Sequence, residues 1–106
     1  MTVIVSLREP NLEITFALRN FLLFSNSNHK LVFEELNLKI LTDYAKEGVK
    51  NNLRTILFTD RFPAIVYGVS LGVHSVLLRT QKNSHHPYKV TVSSSEEALK
   101  ILKQYI

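Results

Sequence analysis

The sequence predicts a single α/β domain over residues 1–106: a three-layer α/β/α sandwich around a short, mainly parallel, five-stranded sheet. Three observations predict it. Short apolar runs rich in β-branched residues alternate with segments of helical periodicity along the whole chain. Strands joined through helices require crossovers, which make the sheet parallel and leave helices on both of its faces. A length of 106 residues supplies one hydrophobic core but not two.

The first half of the chain contains two strand–helix pairs. Thr2–Leu7 is a short apolar run typical of a buried strand, and a helix is predicted over about Leu12–Phe24. The apolar residues of this helix cover much of its circumference, which indicates packing on the sheet and against a partner. Lys30–Glu34 predicts a second strand, and Leu38–Gly48 a second helix that ends at its glycine.

The second half begins with a strand, a short helix and a strand. Arg54–Thr59 is the clearest strand of the chain, and Pro63–Leu71 follows as a helix with its proline in the first turn. Gly72 ends that helix, and Val73–Arg79 predicts the fourth strand. A polar loop then leads to the fifth strand at Tyr88–Val92.

The last helix opens with three consecutive serines. Ser94 precedes Glu97 by three residues, which is the spacing of a capping box, and Glu96 also suits a first turn. Helix capping alone explains Ser93–Ser95, and the alternative is that their hydroxyl and N–H groups bind an anion. The helix itself is predicted over Glu96–Ile106.

Composition narrows the function classes. The chain has no cysteine, which excludes disulfides, thiolate catalysis and cysteine zinc sites and fits a reducing cytoplasm. No apolar run approaches the roughly 20 residues of a membrane span. The net charge of +4 lies wholly in residues 54–106 and favours anionic partners, although nucleic-acid binding usually shows a denser basic patch. The chain is either a complete small protein or an excised domain.

In parallel α/β sheets the functional crevice lies beyond the carboxyl ends of the strands. Five segments follow the predicted strands there: Arg8–Asn11, Glu34–Asn37, Thr59–Phe62, Thr80–His86 and Ser93–Ser95. Their polar residues form a candidate electropositive pocket for an anion or other ligand at one sheet edge: Arg8, Asp60, Arg61, Thr80, Lys82, Ser93, Ser94 and Ser95.

Several residues of these loops also have a purely structural interpretation. Asp60 is expected to satisfy N–H groups near the start of the following helix. His85 and His86 are adjacent, so in an extended loop their rings would point in opposite directions and could not share a metal ion. Gln81–His86 is predicted to be an exposed, flexible, polar loop. No metal site, cofactor site, Gly-rich phosphate loop or nucleophile–base pair is predicted.

The segment Ile56–Thr80 resembles the closing part of response-regulator receiver domains. There a strand ends in threonine, a helix follows, and a small-residue turn leads into a buried strand. Thr59, the helix Pro63–Leu71 and Val76–Leu78 fill those places here. The resemblance implies a flavodoxin-like and receiver-like fold.

The start of the chain is also similar to a receiver, because Val3–Ser6 is followed by the turn Arg8–Pro10. Receivers hold magnesium with adjacent acidic residues after this strand, whereas Leu7 and Arg8 stand there. A phosphoacceptor aspartate should end the middle strand, and Asp60 is the candidate, at the wrong distance from the following proline. The resemblance therefore implies a degenerate pseudo-receiver that is not phosphorylated.

The same closing segment looks similar to the end of haloacid-dehalogenase-type phosphatases, in which an aspartate after a strand precedes a helix. That family needs a nucleophilic aspartate after its first strand, and Val3–Asn11 contains none. This second resemblance therefore implies a shared fold only.

The sequence supports three functional hypotheses. The first is a non-catalytic, cytoplasmic regulatory module that acts in signal transduction by dimerisation or by docking a protein partner; its interface candidates are Phe21, Phe24, Phe62 and Tyr67. The second is a small-anion or nucleotide-binding enzyme subunit that uses the pocket candidates. The third, expected least, is a nucleic-acid-associated protein that uses Arg79, Lys82, His85, His86 and Lys89.

Overall fold

The computed structural model describes residues 2–24, 30–33, 38–50 and 54–104. Strands and helices alternate through the described residues except between the fourth and fifth strands. In chain order the elements are β1 (Thr2–Ser6), α1 (Leu12–Phe24), β2 (Lys30–Phe33), α2 (Leu38–Lys50), β3 (Thr55–Thr59), α3 (Phe62–Ser70), β4 (His74–Leu78), β5 (Thr91–Val92) and α4 (Ser95–Lys103).

The strands form one parallel sheet in the order β2-β1-β3-β4-β5. The predicted α/β class is confirmed, and this strand order is consistent with a flavodoxin-like layout. Four strands are four or five residues long, whereas β5 pairs only through Thr91 and Val92. The predicted five-stranded sheet is therefore confirmed in part: it has four full strands, and the fifth, predicted over Tyr88–Val92, is a two-residue edge strand.

Two apolar clusters cover the two faces of the sheet. Alternating side chains of the central strands point to opposite faces, as the pleat requires. Val3 and Phe58 pack with Leu18 of α1 and Leu102 of α4, whereas Ile4 packs with Leu41 of α2 on the other face. The helices thus lie in pairs on either side, which gives the predicted three layers.

The structure shows which of the predicted helix ends are correct. Gly72 has a φ of 77° just after α3, where glycine avoids the steric cost of a side chain. Ser94 caps α4, because its hydroxyl oxygen accepts the backbone N–H of Glu97 at 3.2 Å. Gly48, in contrast, does not end α2, which continues to Lys50. A glycine inside a helix costs only about 1 kcal/mol relative to alanine, so it need not end the helix.

None of the described helices has the length and apolar character needed to cross a membrane. The predicted loop Glu34–Asn37 lies outside the described residues.

Candidate functional site

A cleft of about 440 Å³ lies beyond the carboxyl ends of β1, β3 and β4. The chain leaves β1 toward β2 on one side and leaves β3 toward β4 on the other, so the crossovers diverge above these two neighbouring strands. In doubly wound sheets this divergence opens the ligand crevice. The cleft is lined by Arg8, Glu9, Asp60, Arg61, Phe62, Pro63, Ala64, Tyr67, Thr80, Lys82, Asn83 and His86.

Asp60 lines the cleft and is only 8% exposed. Its carboxylate accepts two backbone hydrogen bonds, from the N–H of Arg8 at 2.8 Å and from that of Glu9 at 3.0 Å. The side chain therefore fixes the loop after β1 against the end of β3. The expectation that Asp60 serves the start of α3 is wrong, because both of its carboxylate oxygens bond to the loop after β1 and no side chain of the described residues caps that helix.

Asn83 is a buried residue of the cleft that the sequence analysis missed. Its side-chain amide donates to the backbone oxygens of Asp60 and Leu78, both at 2.8 Å, and its oxygen accepts the N–H of Thr80 at 3.0 Å. The loop after β4 is thereby attached to the ends of both β3 and β4. No local motif distinguishes this asparagine from other polar loop residues.

The guanidinium of Arg79 holds the rest of that loop. It donates to the backbone oxygens of Asn83 at 2.8 Å, His86 at 2.7 Å and Tyr88 at 3.1 Å. These bonds bend residues 83–88 around the arginine, which explains why β5 is shorter than predicted. They also argue against the expected flexible loop, because the guanidinium of Arg79 bonds to three backbone oxygens of that loop.

Aromatic rings form one wall of the cleft. The rings of Phe62 and His86 are stacked, with centroids 4.2 Å apart and planes within 2° of each other. The ring of His85 lies 4.2 Å beyond His86 at a tilt of 36°. His85 and His86 were expected to point in opposite directions in an extended loop, but this loop is turned and brings their rings together. Phe62, an interface candidate, instead lines the cleft.

The charges around the cleft are mixed, with more cations than free carboxylates. Arg8, Arg61 and Lys82 line it, against Glu9 and Asp60. Asp60 already has two N–H partners, while Glu9 pairs with Lys82 at 2.7 Å on the exposed rim. Such an exposed ion pair contributes little free energy, so an incoming anion can replace Glu9 as the partner of Lys82.

The start of α3 adds to this positive character. Among the described residues no side chain caps the helix, and Phe62, Pro63 and Ala64 of its first turn line the cleft. The first turn of a helix carries unsatisfied N–H groups and a partial positive charge.

Five of the eight predicted pocket residues line the cleft, and the three serines do not. Ser94 caps α4, and the hydroxyl of Ser95 donates to a carboxylate oxygen of Glu13 in α1 at 3.2 Å. The serines follow the edge strand β5, which β4 separates from β3. Arg8, Asp60, Arg61, Thr80 and Lys82 therefore lie together at one cleft, whereas Ser93, Ser94 and Ser95 lie outside it; ligand binding by these residues stays a prediction.

The other interface candidates differ in exposure. Phe21 packs against the core beside Lys103, and Tyr67 packs on the opposite cluster with its hydroxyl 2.9 Å from that of Thr42. Phe24 is 87% exposed. Of the four candidates, Phe24 is thus the one that presents most of its side chain to a partner.

No group of three or more histidine, aspartate or glutamate side chains in the described part of the chain is placed to hold a metal ion. The chain matches no family model, no curated protein and no solved structure.

Proposed function

We propose that this protein is a binding domain for a small anionic ligand, which it holds in the cleft above β1 and β3. One observation carries this proposal: Arg8, Arg61, Lys82 and the first turn of α3 all line one cleft at the divergence of the crossovers. Cationic side chains and helix N-termini are the groups that bind phosphate and carboxylate in proteins.

The way the cleft is built supports the same proposal. Side-chain hydrogen bonds of Asp60, Arg79 and Asn83 attach the loops after β1 and β4 to the ends of the strands. A site whose loops are already in place has less conformational freedom to lose when a ligand binds. The hydrogen bonds that hold these loops therefore support a ligand-binding role for the cleft.

Calorimetric titration with inorganic phosphate and citrate, at constant ionic strength, tests the proposal. Arg8→Ala removes one cation but keeps the backbone N–H that Asp60 accepts, so the fold should survive. We expect anion affinity to fall about tenfold, because one charge-assisted contact is lost. Arg19→Ala is the matched control, because Arg19 is an exposed arginine of α1 outside the cleft. Equal affinities of the two variants would refute the proposal.

We also propose that the fold is a degenerate relative of the receiver domain. The strand order supports this, as does the position of Asp60 directly after β3, the middle strand of the sheet. Both oxygens of this carboxylate accept backbone N–H groups, so we expect no phosphorylation. Incubation with acetyl phosphate and Mg²⁺ should leave the intact mass unchanged; a phosphoryl adduct at Asp60 would contradict the degenerate assignment.

A second candidate function, regulatory dimerisation through α1, is favoured by a different observation. Leu12, Phe16 and Leu23 are 65%, 50% and 68% exposed, and their spacing places them in one stripe along the helix. Sedimentation analysis over a range of concentrations should show a dimer, and Phe16→Ser should weaken it. A wild-type chain that stays monomeric at all concentrations would exclude this candidate.

A further inference from the structure

We infer that the ligand of the cleft is a nucleoside monophosphate: a planar aromatic ring joined to an anionic group. This inference rests on the proposed function, since it assigns the anionic part of the ligand to the cations already described. The inference adds an aromatic ring to the ligand, because the cations account only for its anionic group.

The size of the cleft is the first argument. A volume of about 440 Å³ falls within the range of roughly 300–1,000 Å³ typical of sites for whole organic molecules. A lone inorganic anion occupies only a small part of such a space. The cleft therefore has room for a second group beside the one that the cations bind.

The walls of the cleft are the second argument. Phe62 and His86 present stacked rings on the same cleft as Arg8 and Lys82, and Tyr67 adds a third aromatic side chain. Aromatic rings beside cationic side chains are how proteins bind nucleotide units, with the base stacked and the phosphate paired.

The hydrogen bonding of Asn83 indicates how selective the site is. An asparagine is well suited to reading the edge of a base, but both N–H groups of its amide already donate to backbone oxygens. Stacking without edge contacts tolerates different bases. We therefore assign the site to nucleoside monophosphates as a class, with purine and pyrimidine forms bound within a few-fold of one another.

Calorimetry with AMP, CMP, ribose 5-phosphate and adenosine separates the two parts of the ligand. Stacking of one base is worth roughly 5- to 150-fold in affinity, so we expect both nucleotides to bind at least about fivefold more tightly than ribose 5-phosphate. Adenosine should bind more weakly than AMP, because it lacks the anionic group.

Phe62→Leu tests the aromatic wall, and Val69→Ala is the control, because Val69 is an exposed residue of the same helix outside the cleft. We expect the first variant to lose the advantage of AMP over ribose 5-phosphate, and the second to retain it. Circular dichroism and thermal unfolding check that each variant folds. His86→Ala, which removes the ring stacked on Phe62, replaces the first variant if it does not fold.

The outcomes distinguish this inference from the proposed function. If ribose 5-phosphate binds as tightly as the nucleotides, the inference is overturned while the anion-binding function stands. If neither binds, both are overturned. An AMP advantage that survives both Phe62→Leu and His86→Ala also overturns the inference.

Discussion

The side-chain amide of Asn83 donates a hydrogen bond to the backbone oxygen of Asp60 over 2.8 Å, joining loops that are 23 residues apart. The oxygen belongs to the residue whose carboxylate holds the loop after β1. One chain of hydrogen bonds thus runs from the loop after β4, through the end of β3, to the loop after β1. It sets the relative positions of three of the loops that form the cleft.

Asn83→Ala should destabilise the fold by about 2–4 kcal/mol, because it leaves two backbone oxygens and one N–H without their partner. Urea unfolding measures the change. Ser84→Ala is the control, since Ser84 is exposed in the same loop and should change stability by less than about 0.5 kcal/mol. Similar values for the two variants would show that the Asn83 network contributes little.

Arg79→Lys should loosen the loop after β4 although the charge is kept. A lysine ammonium lacks the planar fork with which the guanidinium reaches three carbonyl oxygens. We expect a loss of about 1–2 kcal/mol and faster amide hydrogen exchange in residues 80–88. Arg19→Lys on α1 should leave both unchanged. Exchange rates in the loop that do not respond to Arg79→Lys would contradict this role.

Asp60→Asn should lower stability while it raises the affinity for anions. One carboxylate oxygen becomes an NH₂ group that faces a backbone N–H, which should cost about 1–3 kcal/mol. The same substitution removes a negative charge from the cleft, so the Kd for phosphate should fall several-fold. Denaturation and calorimetry measure the two effects separately. Weaker phosphate binding by a folded variant would mean that Asp60 does not oppose the anion.

Gly68→Ala tests the packing of α3 on β4. A Cβ atom at Gly68 would collide with the buried hydroxyl of Ser75, which donates to the backbone oxygen of Val73 at 3.1 Å. We expect a loss of about 1–3 kcal/mol. In a Ser75→Ala background the hydroxyl is absent, and the better helix propensity of alanine should recover about 1 kcal/mol. An equal cost in both backgrounds would exclude the predicted collision.

Ser94→Ala should cost about 1 kcal/mol, because Ser94 accepts the backbone N–H of Glu97 at the start of α4. Ser93→Ala is a closely matched control, since Ser93 is an exposed neighbour outside the cap. Thermal unfolding of the two variants gives the difference directly. Comparable effects would mean that the hydroxyl of Ser94 does not stabilise the helix start.

The sequence was enough to predict the α/β class, the parallel direction of the strands and most element positions. Each follows from information within a short segment: apolar runs such as that of β1, helical spacing in α1, and the capping pair Ser94 and Glu97. It also placed Arg8, Asp60 and Lys82 together, because the carboxyl ends of parallel strands meet at one edge.

The contacts of these residues could not be predicted from the sequence, because they join distant parts of the chain. The partners of Asp60 lie 51 and 52 residues away, and Asn83 and Arg79 bind backbone groups of loops whose path no local pattern specifies. The exclusion of Ser93–Ser95 from the cleft depended on β5 being an edge strand. Local propensity predicts the helices and strands, and the helical crossovers predict parallel strands. A hydrogen bond between distant loops depends on where the packed structure places the two loops.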